Sequence, residues 1–431
     1  MISIASMNKV LITSWGNPSS WREVTYEKVN KRVKGLTPLK LLSEEVEKVY
    51  ILVQDSVLFT AKKEKRIINQ YAIECGEKVN AYLDLQDYGA IWLKDEVNSY
   101  AELVKKVRDY ISCIAKKDGI NAEVFVLPSS TSISVKSDLP ITKFESISDL
   151  SLMYIAGIIS LYDRLKEEPP EEGIIVDNTL SEPHLATLTS TVSRDLASII
   201  SVISEKPIKV DFYSYVPASL DKYILTNPFT EEMPRIRQVN VTDTALKIAY
   251  NTLKLSSPLA LVYSLFEYRG REVKGLDVKI KYEERKLRIE YKCENDADSV
   301  YLSILLSAIY QLCVSSSCEI PVRFSFLKKL NDKVYKSFSD TSYKIIDQEL
   351  GILYDKVKEK IRELREEIML DELYGNQRVA KDIYDKRGEA ALHAGLLRDE
   401  VKIKVEVENG EVKEIYLSYK DWQKVKEVFS Y

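Results

Sequence analysis

The stretch KVLITSWGN, from Lys9 to Asn17, decides the fold of the first half of this chain. The segment Lys9–Trp15 is rich in apolar and β-branched side chains, a composition that predicts a buried strand. Gly16 follows at the point where the strand ends, and a glycine there lets a ligand approach the backbone closely. In open α/β sheets, ligands bind beyond the carboxyl ends of the strands. We therefore expect an α/β fold with a ligand site near Gly16.

Similar short apolar runs recur downstream and alternate with helical patterns, which is typical of a mostly parallel sheet covered by helices. The further predicted strands are KVYILVQD (Lys48–Asp55), NAEVFVLP (Asn121–Pro128), IIVDNT (Ile174–Thr179) and IKVDFYSYVP (Ile208–Pro217). Residues 1–217 are thus predicted to form a doubly wound, Rossmann-like domain.

The alternation stops after Pro217. Residues 218–242 are polar and irregular, and we interpret them as a linker. Residues 243–431 are predicted to form a mainly α-helical domain with two β-hairpin insertions, at about 278–292 and 401–419. The second hairpin turns at Asn409-Gly410, the strongest short-range hairpin signal. An apolar stripe of Val357, Ile361, Leu364 and Ile368 predicts one amphipathic helix from Tyr354 to Gly375.

Composition narrows the class of protein. Lysine plus arginine (62) nearly balances aspartate plus glutamate (66), so no global basic field indicates nucleic-acid binding. Five scattered cysteines, an odd number, favour a reducing cytoplasm over a disulfide framework. Cys313 and Cys318 lack companion ligands for zinc, and we interpret them as small buried hydrophobes. The sequence shows no apolar run of the roughly 20 residues that a membrane span needs, so no membrane partner is expected.

Three loops place polar residues at the same predicted sheet edge. The candidate ligand residues are Ser14, Trp15, Gly16, Asn17 and Pro18 in the first loop, Ser129, Ser130 and Thr131 in the second, and Asp177, Asn178 and Thr179 in the third. Free backbone N–H groups and hydroxyls of this kind can hold a phosphate. The same residues are also common in ordinary turns. Trp15 and Trp21 could stack on a base or cap the core, and His184 could touch a phosphate or serve as a helix cap.

A second candidate site lies in the segment RGEAALHAG, from Arg387 to Gly395. Helix-forming residues from Asn376 onward predict that Arg387 and His393 share a helix, about 120° and about 9 Å apart. If the small residues between them pack against a second copy of the helix, two arginines and two histidines gather in one cleft. Histidine can move protons and arginine can neutralise a phosphorane, which suits metal-free RNA cleavage. The alternative is a solvated arginine and an ordinary histidine.

Together these motifs resemble the CARF–HEPN ribonucleases that accompany type III CRISPR systems, in which a CRISPR-associated Rossmann-fold (CARF) domain precedes a helical HEPN nuclease domain. The HEPN hallmark is arginine, four to six residues, then histidine, as in Arg387 to His393. Two positions depart from the family pattern. Gly388 stands where a polar residue, often asparagine, follows the arginine, and Leu180 and Ser181 replace the histidine and glycine of an Asp-x-Thr-His-Gly loop.

The resemblance implies a single-stranded RNA endoribonuclease that is metal-independent, requires no cofactor and leaves a 2′,3′-cyclic phosphate. It implies Arg387 and His393 as catalytic residues in a composite site of a homodimer, with a higher assembly of dimers left open. It also implies activation by cyclic oligoadenylate, with the tetra-adenylate expected, made by the type III effector complex. Two alternatives stay open: a cyclic oligoadenylate-gated transcription regulator, and a non-catalytic assembly protein whose helical half only oligomerises.

Overall fold

The protein is described by a computed structural model covering residues 8–29, 31–60, 69–84, 90–135, 138–270, 273–364, 367–375 and 382–431. The chain forms two compact units. Unit 1 consists of the described parts of Met1–Ala197, Ile208–Glu232 and Lys274–Ala297, and unit 2 of those of Ser198–Pro207, Met233–Val273 and Asp298–Tyr431. Segments of the two units alternate along the chain after Ala197, so the chain does not pass from one unit to the other at a single point near residue 217.

The strands are, in chain order, β1 Lys9–Trp15, β2 Val24–Lys28, β3 Lys31–Gly35, β4 Lys48–Gln54, β5 Phe59–Thr60, β6 Ala81–Asp84, β7 Ala90–Leu93, β8 Glu123–Leu127, β9 Thr131–Ser134, β10 Lys143–Ile147, β11 Gly173–Asp177, β12 Lys209–Ser219, β13 Lys222–Glu231, β14 Asp277–Glu283, β15 Lys286–Lys292, β16 Val322–Arg323, β17 Ile368–Met369, β18 Val401–Glu408 and β19 Glu411–Tyr419.

The helices are α1 Leu39–Leu42, α2 Gln70–Lys78, α3 Tyr100–Lys117, α4 Leu150–Leu165, α5 Pro183–Ile203, α6 Thr244–Lys254, α7 Pro258–Tyr268, α8 Ala297–Ser315, α9 Phe324–Leu330, α10 Lys336–Phe338, α11 Asp340–Glu359, α12 Leu370–Tyr374, α13 Ile383–Leu392 and α14 Trp422–Ser430. Short 3₁₀ turns at Pro18–Ser20, Ser43–Glu45 and Asp55–Leu58 and a π-helical turn at Asn331–Tyr335 complete the described helical structure.

The main sheet of unit 1 has the strand order β3-β2-β13-β12-β11-β1-β4-β8. Its centre, from β12 through β11, β1 and β4 to β8, is parallel throughout. The predicted mostly parallel α/β sheet is therefore confirmed. Because the chain leaves β1 towards β4 on one side and later returns to β11 on the other, the topological switch point lies between β1 and β11. Ligands of doubly wound sheets bind at such a point.

The segment expected to be a linker contains a long strand. β13 pairs antiparallel with β12 and parallel with β2. Tyr223 and Leu225 of β13 pack against the core of unit 1. The prediction of a linker over 218–242 is therefore wrong for this part, because β13 pairs with the adjacent β12 and with β2, which is distant in sequence.

The hairpin at 278–292 forms as expected, as β14 and β15, but it belongs to unit 1. β15 pairs in parallel with β10, with Lys286 opposite Lys143. Its alternating apolar face buries Leu287, Ile289 and Tyr291 in the core of unit 1. The sequence predicted the hairpin, but the strand that would pair with it could not be inferred from its alternation alone.

Unit 2 combines helices with a small antiparallel sheet of order β16-β19-β18-β17. The second predicted hairpin is confirmed as β18 and β19, and Asn409 and Gly410 both have positive φ (54° and 81°), as its tight turn requires. The predicted helix from Tyr354 to Gly375 is wrong, since α11 ends at Glu359 and Ile368 lies in β17 opposite Ile403. Pairing with β18 makes this segment extended, and helical periodicity contains no information about such a partner.

Two further features differ from the expectations from composition. Cys75 and Cys113 form a disulfide between α2 and α3, which the odd cysteine count did not predict. Cys313 is free and buried and Cys318 is free and partly buried. Within the described chain, α8 is long and apolar enough to cross a membrane by length and composition alone, yet 61% of its most apolar window is buried, as in a core helix.

Candidate functional sites

The loops that follow β1 and β11 are hydrogen-bonded to each other at the switch point of unit 1. The Gly16 N–H donates to the carbonyl oxygen of Leu180 (3.1 Å). The Ser181 hydroxyl donates to the carbonyl oxygen of Ser14 (2.7 Å) and lies 2.6 Å from the Ser14 hydroxyl. Since each hydroxyl has one proton, the Ser14 O–H then donates to Ser181. The sequence singled out Ser181 only as a departure from a family pattern, and its role in joining the loops was missed.

Two donors of the first loop that we expected to be free, the Gly16 N–H and the Ser14 hydroxyl, are bonded to the loop after β11. Asn17 Oδ1 accepts from the Ser19 N–H (3.0 Å) and caps the 3₁₀ turn Pro18–Ser20. A Cβ on Gly16 would lie 3.2 Å from Glu182 Cγ and 3.4 Å from the carbonyl oxygen of Leu180. The close backbone approach at Gly16 is therefore made by the loop after β11, and a ligand would meet a loop pair already closed by its own hydrogen bonds.

Asp177 organises the loop after β11 from inside the protein. It is 1% exposed, and its Oδ1 accepts from the N–H (3.2 Å) and the hydroxyl (2.5 Å) of Thr179. Burial raises the pKa of Asp177 to about 6, while the hydrogen bonds from Thr179 and Thr13 act in the opposite direction. Asp177 is thus placed to hold the loop rather than to face a ligand.

Asn178 is the more accessible neighbour of Asp177. Its Nδ2 donates to the Ser190 hydroxyl of α5 (2.9 Å). Its buried Oδ1 has no hydrogen-bond partner among the residues that the structure describes. Because a buried amide oxygen without a donor is costly, this acceptor is suited to a donor brought by a ligand or by water.

The second predicted loop belongs to a different cluster. The sheet order places β4 between β1 and β8, so Ser129 lies two strands away from Gly16. Ser129 is 1% exposed, and its carbonyl oxygen accepts from the Ser146 hydroxyl (2.8 Å). Ser130 is exposed and Thr131 begins β9. The structure brings together two of the three predicted loops, not all three.

Asp55, the first residue after β4, is the centre of this second cluster. It is fully buried and accepts hydrogen bonds from Ser146 (3.2 Å) and from the hydroxyl of Tyr291. Burial raises the pKa of Asp55 to about 6, and hydrogen bonds from Ser129, Tyr291 and Ser146 oppose that shift. We call Asp55, Ser129, Ser146 and Tyr291 the buried acid cluster. The sequence pattern of the strand ends did not single out Asp55.

The candidate ligand residues Trp15 and His184 of unit 1 differ in their exposure to solvent. Trp15 is 1% exposed and packs edge-on against Trp21 at 5.1 Å between ring centroids, so it caps the core. His184 is accessible at the start of α5. Its Nε2 lies 3.3 Å from Gln54 Nε2 at the end of β4, and its Nδ1 lies 3.8 Å from Glu182 Oε2. Of these side chains, His184 is placed to meet a ligand at the sheet edge.

In unit 2 the helix of the Arg387–His393 segment is shorter than predicted. α13 begins after Asp382, whose carboxylate accepts from the N–H groups of Tyr384 (2.9 Å) and Asp385 (2.8 Å). Asn376, the expected N-cap, lies outside the described residues. The helix ends at Leu392, so His393 is its C-cap and not an interior residue.

A tight turn follows His393. Ala394 and Gly395 have positive φ (52° and 72°), and the Gly395 N–H donates to the carbonyl oxygen of Ala390 (2.7 Å). This is the pattern of a Schellman motif, which satisfies carbonyl groups at a helix end. A Cβ on Gly395 would lie 2.6 Å from Ser257 Cβ. Gly395 is therefore required both by its backbone conformation and by the close packing on Ser257.

Arg387 and His393 each have a partner of their own. Nδ1 of His393 lies 3.1 Å from Oε2 of Glu349 on α11, and the imidazole side chain is 31% exposed. Arg387 is partly exposed, and its Nη1 donates to the carbonyl oxygen of Tyr431. The site thus offers a positioned imidazole and a guanidinium with further donors. No group of three or more His, Cys, Asp or Glu side chains suited to a metal ion occurs among the described residues.

Comparison with known proteins identifies the N-terminal half. Residues 10–217 match the family model described as the CARF domain of the CRISPR system endoribonuclease Csx1. The chain therefore carries a CARF domain, with a mixed sheet of mostly parallel strands, ahead of a helical C-terminal region. The match ends before the segment that contains Arg387 and His393. A search of curated proteins gives no match.

Proposed function

We propose that this chain is a cyclic oligoadenylate-activated endoribonuclease of type III CRISPR defence, acting on single-stranded RNA without a metal ion. The observation that carries the proposal is the match of residues 10–217 to the CARF domain of an endoribonuclease. It is supported by Arg387 and His393, which lie in unit 2 at the arginine–histidine spacing of the HEPN hallmark and are both partly exposed.

The activator site of the proposal is the switch point between β1 and β11. Asn17, Asn178, Ser181 and His184 are partly exposed at this edge. Backbone and side-chain dipoles at the carboxyl end of a sheet suit the phosphates of a cyclic oligoadenylate, with the tetra-adenylate as the expected ring. Binding shifts the equilibrium between inactive and active arrangements only if the ligand binds the active one more tightly.

The proposed catalytic unit is a homodimer in which each copy contributes Arg387 and His393 to one cleft. The 2′-oxygen of the substrate attacks the adjacent phosphorus, and its proton passes to His393. The P–O5′ bond breaks and O5′ takes up a proton, which leaves a 2′,3′-cyclic phosphate and a 5′-hydroxyl. Arg387 stabilises the charge that develops on the phosphorane oxygens, because its planar fork presents several donors at once.

The test is cleavage of labelled single-stranded RNA with and without cyclic tetra-adenylate, in the presence of EDTA. We expect cleavage only with the activator, and a loss of about 100-fold or more in His393→Ala, the range for removal of a proton-transfer group. Equilibrium binding of labelled cyclic tetra-adenylate should be unchanged in the variant. Undiminished cleavage by His393→Ala would refute the assignment. An activator-dependent shift of duplex DNA without RNA cleavage would support the regulator instead.

A further inference from the structure

Glu349 is held firmly beside His393. It lies on α11, whose neighbouring residues Ile346, Leu350 and Leu353 are fully buried and fix the position of the helix. The Glu349 side chain is only 13% exposed, and its Oε2 lies 3.1 Å from His393 Nδ1. Among the described residues, His393 is the one ion-pairing partner of this carboxylate. A largely buried carboxylate is stable only when it is paired or hydrogen-bonded.

The contact determines which imidazole nitrogen carries the proton. An ionised carboxylate has no donor and can only accept. Nδ1 of His393 must therefore be the protonated nitrogen in the neutral ring, and Nε2 keeps its lone pair. The hydrogen bond made by one ring nitrogen sets the role of the other. In this arrangement Nε2 is the atom that can receive a proton.

Tyr374 is a further titratable group that interacts with the Glu349 carboxylate. Burial and then the Glu349 carboxylate raise the pKa of Tyr374, at the end of α12, to about 12, while Arg398 acts in the opposite direction. Tyr374 is therefore uncharged at neutral pH. The Arg398 guanidinium lies 5.1 Å from the centre of the Tyr374 ring, and the backbone N–H of Arg398 donates to Glu389 Oε1 (3.1 Å). The Arg398 guanidinium is thus placed against the Tyr374 ring.

We propose that Glu349 is a positioning residue, which holds His393 in the Nδ1–H tautomer so that Nε2 faces the proton to be moved. The role in RNA cleavage rests on the proposed function above, whereas the tautomer itself does not. Glu349 lies 44 residues before His393 and on another helix, so no local motif in the sequence pairs them.

The tautomer can be measured directly, because the chain has only two histidines. Long-range ¹H–¹⁵N spectra of ¹⁵N-histidine-labelled protein, assigned with His184→Ala, should show a protonated Nδ1 at His393 in the parent. In Glu349→Ala we expect the Nε2–H tautomer, which an unrestrained imidazole favours. Glu359→Ala is the matched control, since Glu359 is on the same helix but 66% exposed, and it should leave the spectrum unchanged. The same tautomer in the parent and in Glu349→Ala overturns the proposal.

Kinetics provides the second readout. Glu349→Ala should lower kcat for RNA on the order of 10- to 100-fold with KM unchanged, less than the loss expected for the proton-transfer group itself. Added to His393→Ala, the same substitution should cause no further loss. A parent that cleaves no RNA contradicts the proposed function but leaves the tautomer test intact. A cleaving parent with unchanged kcat in Glu349→Ala contradicts the inference alone, provided that circular dichroism shows the variant folded.

Discussion

At the sheet edge of unit 1 the polar groups of two loops are bonded to each other, whereas in unit 2 the two candidate side chains, Arg387 within α13 and His393 at its end, are partly exposed. Gly16 and Ser181 use their donors within the protein. His393 is held through one nitrogen by Glu349 and leaves the other available. The loops of the first site are thus closed by their own hydrogen bonds, whereas the second site has a positioned and partly exposed imidazole.

The difference fits the two tasks in the proposed function. A sensor must have two states of similar stability, so a ligand can shift the equilibrium by binding one of them more tightly. A catalytic group must be oriented before the substrate arrives, since orientation contributes to rate only when it is already in place.

Replacing Arg387 should produce the largest effect. Arg387→Ala removes the fork of donors that would stabilise the phosphorane, and loss of such a donor typically costs about 10²–10³ in kcat. The measurement is the single-turnover rate of RNA cleavage with saturating cyclic tetra-adenylate. Arg362→Ala is the matched control, because Arg362 is another arginine of unit 2 and is exposed. Equal cleavage rates for the parent and Arg387→Ala would show that Arg387 does not take part in catalysis.

The turn after His393 should be the most sensitive to added bulk. Gly395→Ala places a Cβ 2.6 Å from Ser257 Cβ at a position with φ of 72°, so we expect a loss of about 2–4 kcal/mol in the free energy of unfolding. Gly388→Ala is the comparison: nothing lies within 4 Å of its Cβ and it is inside α13, so a gain of about 0.5–1 kcal/mol is expected. Urea unfolding of both variants measures the difference. Equal effects on the free energy of unfolding would contradict the described conformation and packing of Gly395.

The parallel sheet could be predicted because its strands have a strong local signal. Each of the central strands β1, β4, β8, β11 and β12 was expected from its apolar run. The pairing of β13 with β2 and of β15 with β10 could not be predicted, since these partners lie far away in the sequence. Local periodicity shows that a segment is extended, but not which edge it joins. For that reason the compact units do not divide at residue 217, although the match to the CARF family model ends there.

For the candidate sites, the sequence predicted which residues lie at strand ends, but it did not predict which residues they contact. Sheet topology correctly placed Gly16 and Asn178 at one edge. Trp15 directly precedes Gly16 but is buried in the core. Because Trp15 is the last residue of its strand, the alternation of side chains along the strand did not determine which way it faces. Glu349 had no signal, because a contact between two helices depends on packing that the spacing of Arg387 and His393 does not contain.

The two buried acids at the strand ends of unit 1 should make stability depend on pH. Burial raises the pKa of both Asp55 and Asp177 from 3.8 to about 6, so the folded state binds these protons more tightly than the unfolded chain does. The stability they contribute is complete below about pH 4 and is lost as the pH rises to about 6.

Neutral analogues remove that dependence. In Asp55→Asn and Asp177→Asn, the free energy of unfolding relative to the parent should improve by about 1–3 kcal/mol between pH 4 and pH 7, whatever constant cost the amide adds. Asp163→Asn is the control, because Asp163 is 56% exposed and pairs with Lys166. Urea unfolding at both pH values is the measurement. A difference that stays constant with pH would show that these carboxyl groups titrate normally.

The smallest effect concerns the link between the loops after β1 and β11. Ser181→Ala removes the hydroxyl that bonds to the backbone and side chain of Ser14, an interaction worth about 1 kcal/mol. If the link prepares the switch point for its ligand, the Kd for cyclic tetra-adenylate should rise about fivefold, as measured by isothermal titration calorimetry. Ser130→Ala should leave the Kd unchanged, because β4 separates its loop from Gly16. Equal weakening of binding in both variants would instead indicate that all three loops contribute to one ligand site, as the sequence alone predicted.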